Sequence, residues 1–137
     1  MLRNYVIICC IAFFLTACLK FHPWATVQII NHSNEDIFWL TRSEQNGEWY
    51  EILSIHSYMG DIEKHKILRG EAFEDGFNSA GIQTTLQKGW IKYYLFNFDS
   101  IKTIPWERIC TERIILKEVT FNTWEDFERC NFEITYP

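Results

Sequence analysis

Basic residues are few in this chain: 13 Lys and Arg stand against 18 Asp and Glu over 137 residues, a formal net charge of -5. With 23% charged residues and that small imbalance, bulk composition suggests neither a polybasic nucleic-acid surface nor a disordered chain. Alanine is scarce after residue 18, where three occur beside fifteen isoleucines and twenty aromatics. That balance works against long helices and favours sheet. The N-terminal apolar run, Tyr5 to Leu15, is about eleven residues long. As a helix it would reach about 17 Å, well short of the ~30 Å hydrocarbon core, so a stable transmembrane helix is the weaker reading. The length leaves room for one domain of ordinary size and excludes a multidomain enzyme.

Catalytic motifs are also missing. His22, His32, His56 and His65 are the only histidines, and no pair has the i, i+4 spacing around a Glu that a helical zinc site needs. There is no G-x-S-x-G elbow, and Ser54-Ile55-His56-Ser57 brings hydroxyls near an imidazole without an oxyanion or orienting group. Glu71, Glu74, Asp75 and Asn78 cluster among glycines, but their spacing departs from a calcium loop and reads as a solvated acidic loop. Glu125, Asp126 and Glu128 fit the first turn of a helix, where negative charge meets the dipole. These residues call for no metal, no cofactor and no catalytic residue.

What the sequence does contain begins at its start. Of the first 17 residues, 14 are apolar, and the only charge among them is Arg3. A short positive start followed by an eleven-residue apolar run is a secretory signal. The run stops at Leu15-Thr16-Ala17-Cys18, which resembles a bacterial lipobox: a branched apolar residue, two small residues that fit the peptidase cleft, and the cysteine that receives diacylglycerol. The expectation is a signal peptide over 1–17, with Cys18 as the lipidated amino terminus and its acyl chains as a stable bilayer anchor. The other reading is a plain secretory signal cleaved after Ala17, or an uncleaved amphiphilic anchor, with Cys18 an ordinary thiol. Residues 18–24 would be the lipidated cysteine and a short tether, six residues after the cysteine reaching at most about 20 Å. Residues 25–137 would form a single β-rich domain.

Within that domain Val27 and Ile29 share one face of a strand, and Asn31-His32-Ser33-Asn34 reads as a turn into Ile37-Phe38-Trp39-Leu40, making a hairpin. Trp49 to Ile55 and Ile82 to Leu86 read as further strands. Trp90 to Phe98 is the strongest strand, nearly continuously apolar, predicted to be central and covered on both faces, with Asp99-Ser100 as the turn that ends it. Two short helices follow, one opened by Thr103 and Pro105, the other by the capping pair Thr123 and Asp126 with Trp124 and Phe127 on one side. Ile114 to Phe121 reads as a strand, and a closing strand puts Phe132, Ile134 and Tyr136 on one face. The predicted fold is mainly β (α+β), a small antiparallel β-sandwich-like domain with two short helices near the C-terminus.

Residues 89–137 carry Phe96-Asn97-Phe98-Asp99, Pro105-Trp106-Glu107-Arg108-Ile109, Ile115-Leu116-Lys117, Thr123-Trp124-Glu125-Asp126-Phe127 and Asn131-Phe132-Glu133-Ile134-Thr135-Tyr136-Pro137. With Val27 to Ser33 and Ile37, this pattern resembles a group of small lipoproteins of the Bacteroidetes type. Phe132 and Phe127 stand where that group commonly has Trp and Leu, and both keep an apolar anchor. The resemblance implies a lipoprotein with a β-rich domain and carries no catalytic residue across. Leu19-Lys20-Phe21-His22 lacks the acidic residues that usually follow the cysteine in surface-exported members. Together with Leu19 in place of Asp, that implies an outer-membrane address on the periplasmic face. Asp99-Ser100-Ile101 resembles a periplasmic O-glycosylation acceptor, with Ser100 the modified residue and a simple turn the alternative reading.

Cys9 and Cys10 leave with the signal and Cys18 is lipidated, so Cys110 and Cys130 are the mature thiols. In an oxidising compartment they can pair, a bridge contributing about 3 kcal/mol, or remain two buried thiols. The six tryptophans can include a carbohydrate-stacking platform, although a domain this small needs most of them in its core. The expected function is binding of a protein or envelope partner at a membrane surface. An immunity or inhibitor lipoprotein against an envelope-acting toxin or lytic enzyme, suited by acidic charge to a basic target, and a small envelope hydrolase are the alternatives.

Overall fold

The computed structural model describes residues 24–137. Seven strands form two sheets: β1 (Trp24–Asn31), β2 (Ile37–Ser43), β3 (Lys66–Ile67), β4 (Ala72–Asn78), β5 (Ile91–Asn97), β6 (Lys117–Phe121) and β7 (Glu133–Tyr136). One sheet is ordered β4-β1-β7, the other β3-β2-β5-β6. Five α-helices join them among the described residues: α1 (Ile55–Met59), α2 (Ser79–Leu86), α3 (Phe98–Thr103), α4 (Trp106–Glu112) and α5 (Trp124–Arg129). The fold is a mixed α+β sandwich. Pairings are antiparallel except β1 with β7, where Ile29 stands opposite Ile134 in a parallel ladder.

The four-stranded sheet is the middle layer because its two inner strands, β2 and β5, are apolar on both faces. Trp39 from β2 and Ile91, Tyr93 and Leu95 from β5 face the other sheet, where they meet Val27, Ile29, Phe127 and Ile134. Phe38, Leu40, Tyr94 and Phe96 face the opposite way, under Trp49, Ile52, Ile55, Ile62, Phe98, Ile101 and Ile109. The strongest strand of the sequence reading is therefore central and doubly covered, as its unbroken apolar run requires. Val27 and Ile29 do share a buried face, and Ile134 is buried with Phe132 and Tyr136 packed beside it. Thr123 caps α5 as a capping box: its hydroxyl accepts from the Asp126 N–H at 3.3 Å, and the Asp126 carboxylate accepts from the Thr123 N–H at 3.0 Å.

Five local expectations are corrected. β1 and β2 do not form a hairpin but lie in different sheets. At the crossing sits Asn31, fully buried, whose amide donates to the carbonyls of Glu35 (2.7 Å), Ile67 (3.3 Å) and Leu68 (3.2 Å) while its oxygen accepts from the Ser33 backbone N–H. That network carries the chain across the sandwich. Trp49 to Ile55 is not a strand but a 3-10 turn (Trp49–Glu51) leading to α1, and Ile82 to Leu86 lies in α2, whose first turn is capped by Asn78 accepting from Ala80 and Gly81. Asp99-Ser100 is the first turn of α3, and Thr103 ends that helix, its hydroxyl donating to the Asp99 carbonyl, so Pro105 opens α4 alone.

Candidate functional site

Cys18 and the proposed tether before Trp24 lie outside the described residues. No helix among the described residues is long and apolar enough to cross a membrane. Ser100 sits half-buried in α3, its N–H donating to the Asn97 side chain at 2.8 Å. Cys110 and Cys130 are free thiols. They pack on opposite faces of the four-stranded sheet, Cys110 with the helix-side core and Cys130 with the inter-sheet core, so the pairing weighed from sequence does not form.

Of the residues weighed for catalysis, His22 lies outside the described residues and the others do not converge. His32 and His56 are exposed, and the Ser54 hydroxyl caps α1 by accepting from the Ser57 N–H. Glu74 points outward from β4 while Asp75 turns inward, so the acidic cluster is split between the two faces of one strand. Among the described residues no group of three or more His, Cys, Asp or Glu is placed to hold a metal ion.

Asp75 has an environment of its own. Its carboxylate accepts from the Tyr93 hydroxyl at 2.9 Å, across the gap between the sheets. Burial raises its pKa, opposed by the Tyr93 hydrogen bond and by His65. His65 packs its ring 4.8 Å from that of Trp39, and burial lowers its pKa against the pull of Asp75 and Asp61.

The surface is distinctive between residues 44 and 59. Five large apolar or aromatic side chains are exposed among the described residues, and three of them, Tyr50, Leu53 and Tyr58, fall within this one segment. Leu53 is 99% exposed. The segment is nevertheless tied down at several points. Trp49 is buried against Tyr94, Phe96 and Trp106, and the Trp106 indole N–H donates to the Ile52 carbonyl at 2.7 Å. Buried Arg42 donates through Nε to the Gly47 carbonyl at 2.9 Å and holds its guanidinium 4.9 Å from the Tyr58 ring, while Arg113 lies over Tyr50 at 4.6 Å.

Glu48 fixes the start of the segment to β5. It pairs with Lys92 at 2.6 Å and accepts from the Tyr94 hydroxyl. Burial works against its ionised form, but those two partners outweigh it and hold its carboxyl below the ordinary range. Burial and the Glu48 contact push Tyr94 far up, so it stays a donor. The outcome is a groove of about 340 Å³ edged by Leu53 and Tyr58, with Arg42 and Glu51 beside them. The strand reading of 49–55 hid this surface. The spacing of Trp49, Ile52 and Ile55, every third residue, is the signal that marks a helical turn with the residues between them facing out.

A second groove, of about 610 Å³, is lined by Glu35, Asp36, Glu71 and Asp99 with Arg69. Asp36 pairs with Lys66 at 2.9 Å, and that bond with the Arg69 N–H keeps its pKa low. β1 starts at Trp24 opposite Asn78 and ends at Asn31 beside Glu71, so this acidic groove is at the end of the sandwich away from residue 24. No family model, no curated protein and no solved structure matches the chain.

Proposed function

We propose that this protein is a lipoprotein, anchored through acylated Cys18 to the periplasmic face of the outer membrane, whose domain works by binding a protein of the envelope. The observation that carries the reading is the outward presentation of Tyr50, Leu53 and Tyr58 from a segment fastened by Trp49, Trp106, Arg42 and Glu48. Water-facing apolar side chains on a rigid frame lose little conformational freedom on docking, which is how a small interface gains affinity. The open grooves and the scattered histidines and acids support a binding module over a hydrolase.

The acidic groove at the far end from residue 24 favours a second reading, an immunity or inhibitor lipoprotein facing a basic toxin or lytic enzyme. Affinity capture from native envelope tests the first reading. A protein recovered with the wild type and lost with Leu53→Asp supports it, and identical recovery with both proteins, or none with either, counts against it. If recovery instead depends on Glu35 and Glu71, the second reading takes its place.

A further inference from the structure

A groove of about 450 Å³ lies between α2 and the start of α5, away from the segment 44–59. Gln83 and Leu86 from α2 and Gln87, the residue that caps its end, line one side, at the i, i+3, i+4 spacing that gathers side chains on one helix face. Asn122, Trp124 and Glu125 line the other. The Trp124 ring is held in place: its Nε1 donates to Glu128 at 2.9 Å, and it packs edge-on to Phe132 with centroids 5.4 Å apart. The carboxamides of Gln83, Gln87 and Asn122 make no hydrogen bond through their side chains among the described residues.

We infer that this groove is a binding site for a neutral pyranose chain. Each free carboxamide offers two N–H donors and a carbonyl acceptor, the complement of vicinal hydroxyls or an acetamido group. A fixed indole gives the apolar C–H face of a sugar ring a flat surface to stack on. Of the charged residues only Glu125 lines the groove, so anionic sugars are repelled where neutral ones are not. Its position suits a glycan of the envelope: α2 follows Asn78, the residue paired with Trp24, so the groove opens near the end where the chain enters the domain. This inference uses a surface separate from the proposed protein contact, and its envelope source rests on the proposed lipoprotein anchor.

The test is calorimetric and NMR titration of the full chain with the N-acetylglucosamine trimer, the glucose trimer and the galacturonate trimer. Binding of either neutral trimer, weakened about tenfold or more by Gln83→Ala/Gln87→Ala, with galacturonate inert, supports the site. The amido sugar binding better points to a peptidoglycan source, and the plain hexose binding better points to a capsular or lipid-linked one. Both glutamines are exposed, so the double variant keeps the wild-type unfolding transition. Trp124→Phe, which preserves an aromatic face, retains more binding than Trp124→Ala. No binding of either neutral trimer, binding unchanged in the glutamine variant, or equal binding of galacturonate overturns the inference.

Discussion

Replacing Tyr93 by Phe removes one hydroxyl and leaves the ring in place. Tyr93 is 1% exposed, and its hydroxyl donates to Asp75 at 2.9 Å, the bond that favours the ionised carboxylate against the cost of burying it. A hydrogen bond to a charged group contributes ~1.5–3 kcal/mol, against ~0.5–1.5 kcal/mol for one between neutral groups. Tyr93→Phe therefore costs about 2 kcal/mol where Asp75 is ionised and about 1 kcal/mol where it is protonated.

The sign with pH follows from the direction of the shift. The Asp75 pKa is raised above the ordinary carboxylate value, so the folded state holds this proton to higher pH than the unfolded chain does, and stability falls as pH rises through the folded pKa. Removing the Tyr93 hydroxyl raises that pKa further and deepens the fall. Urea denaturation of both proteins at pH 7 and near pH 4 measures the difference, with the dependence on denaturant unchanged. A penalty equal at the two pH values, or larger in acid, would refute the reasoning.

Phe127 is fully buried and stacks on Phe121 with ring centroids 3.8 Å apart, so Phe127→Ala should cost about 3–5 kcal/mol in thermal or urea denaturation. Thr123→Ala removes the α5 cap and should cost about 1 kcal/mol. The backbone N–H groups of Asn122 and Thr123 lower the pKa of the reciprocal partner Asp126, so the cap's contribution is present above the unfolded carboxylate pKa and is lost as pH falls through the folded one. Alkylation of the unfolded protein without reductant should label both Cys110 and Cys130, and a chain two mass units lighter in which both resist labelling would restore the disulfide.

The strand Ile91–Asn97, the capping box at Thr123 and the face shared by Val27 and Ile29 were legible because each is a local pattern that tertiary packing only reinforces. Asn31 was not, because nothing in a turn-like string tells that one asparagine will be fully buried and bonded to the carbonyls of Ile67 and Leu68, more than thirty residues on. Trp49 to Ile55 misled because β-branched and aromatic residues favour strand in general, while here their three-residue spacing packs one side of a turn against the sheet. Ile82 and Leu86 misled for the same reason, four residues apart on a capped helix. The candidate surface was hidden with them. The string Leu15-Thr16-Ala17-Cys18, which resembles a lipobox, lies outside the described residues.

The central claim, that a domain held at the membrane by Cys18 docks through Leu53 and its neighbours, is tested most directly by photocrosslinking in living cells. A crosslinking residue is placed at position 53 and, as a control, at exposed Glu71 on the acidic end of the sandwich. The account predicts one discrete adduct in the outer-membrane fraction from position 53, absent from position 71 and lost when Cys18→Ala releases the protein from the membrane. The same adducts from both positions, or adducts unaffected by Cys18→Ala, would contradict it.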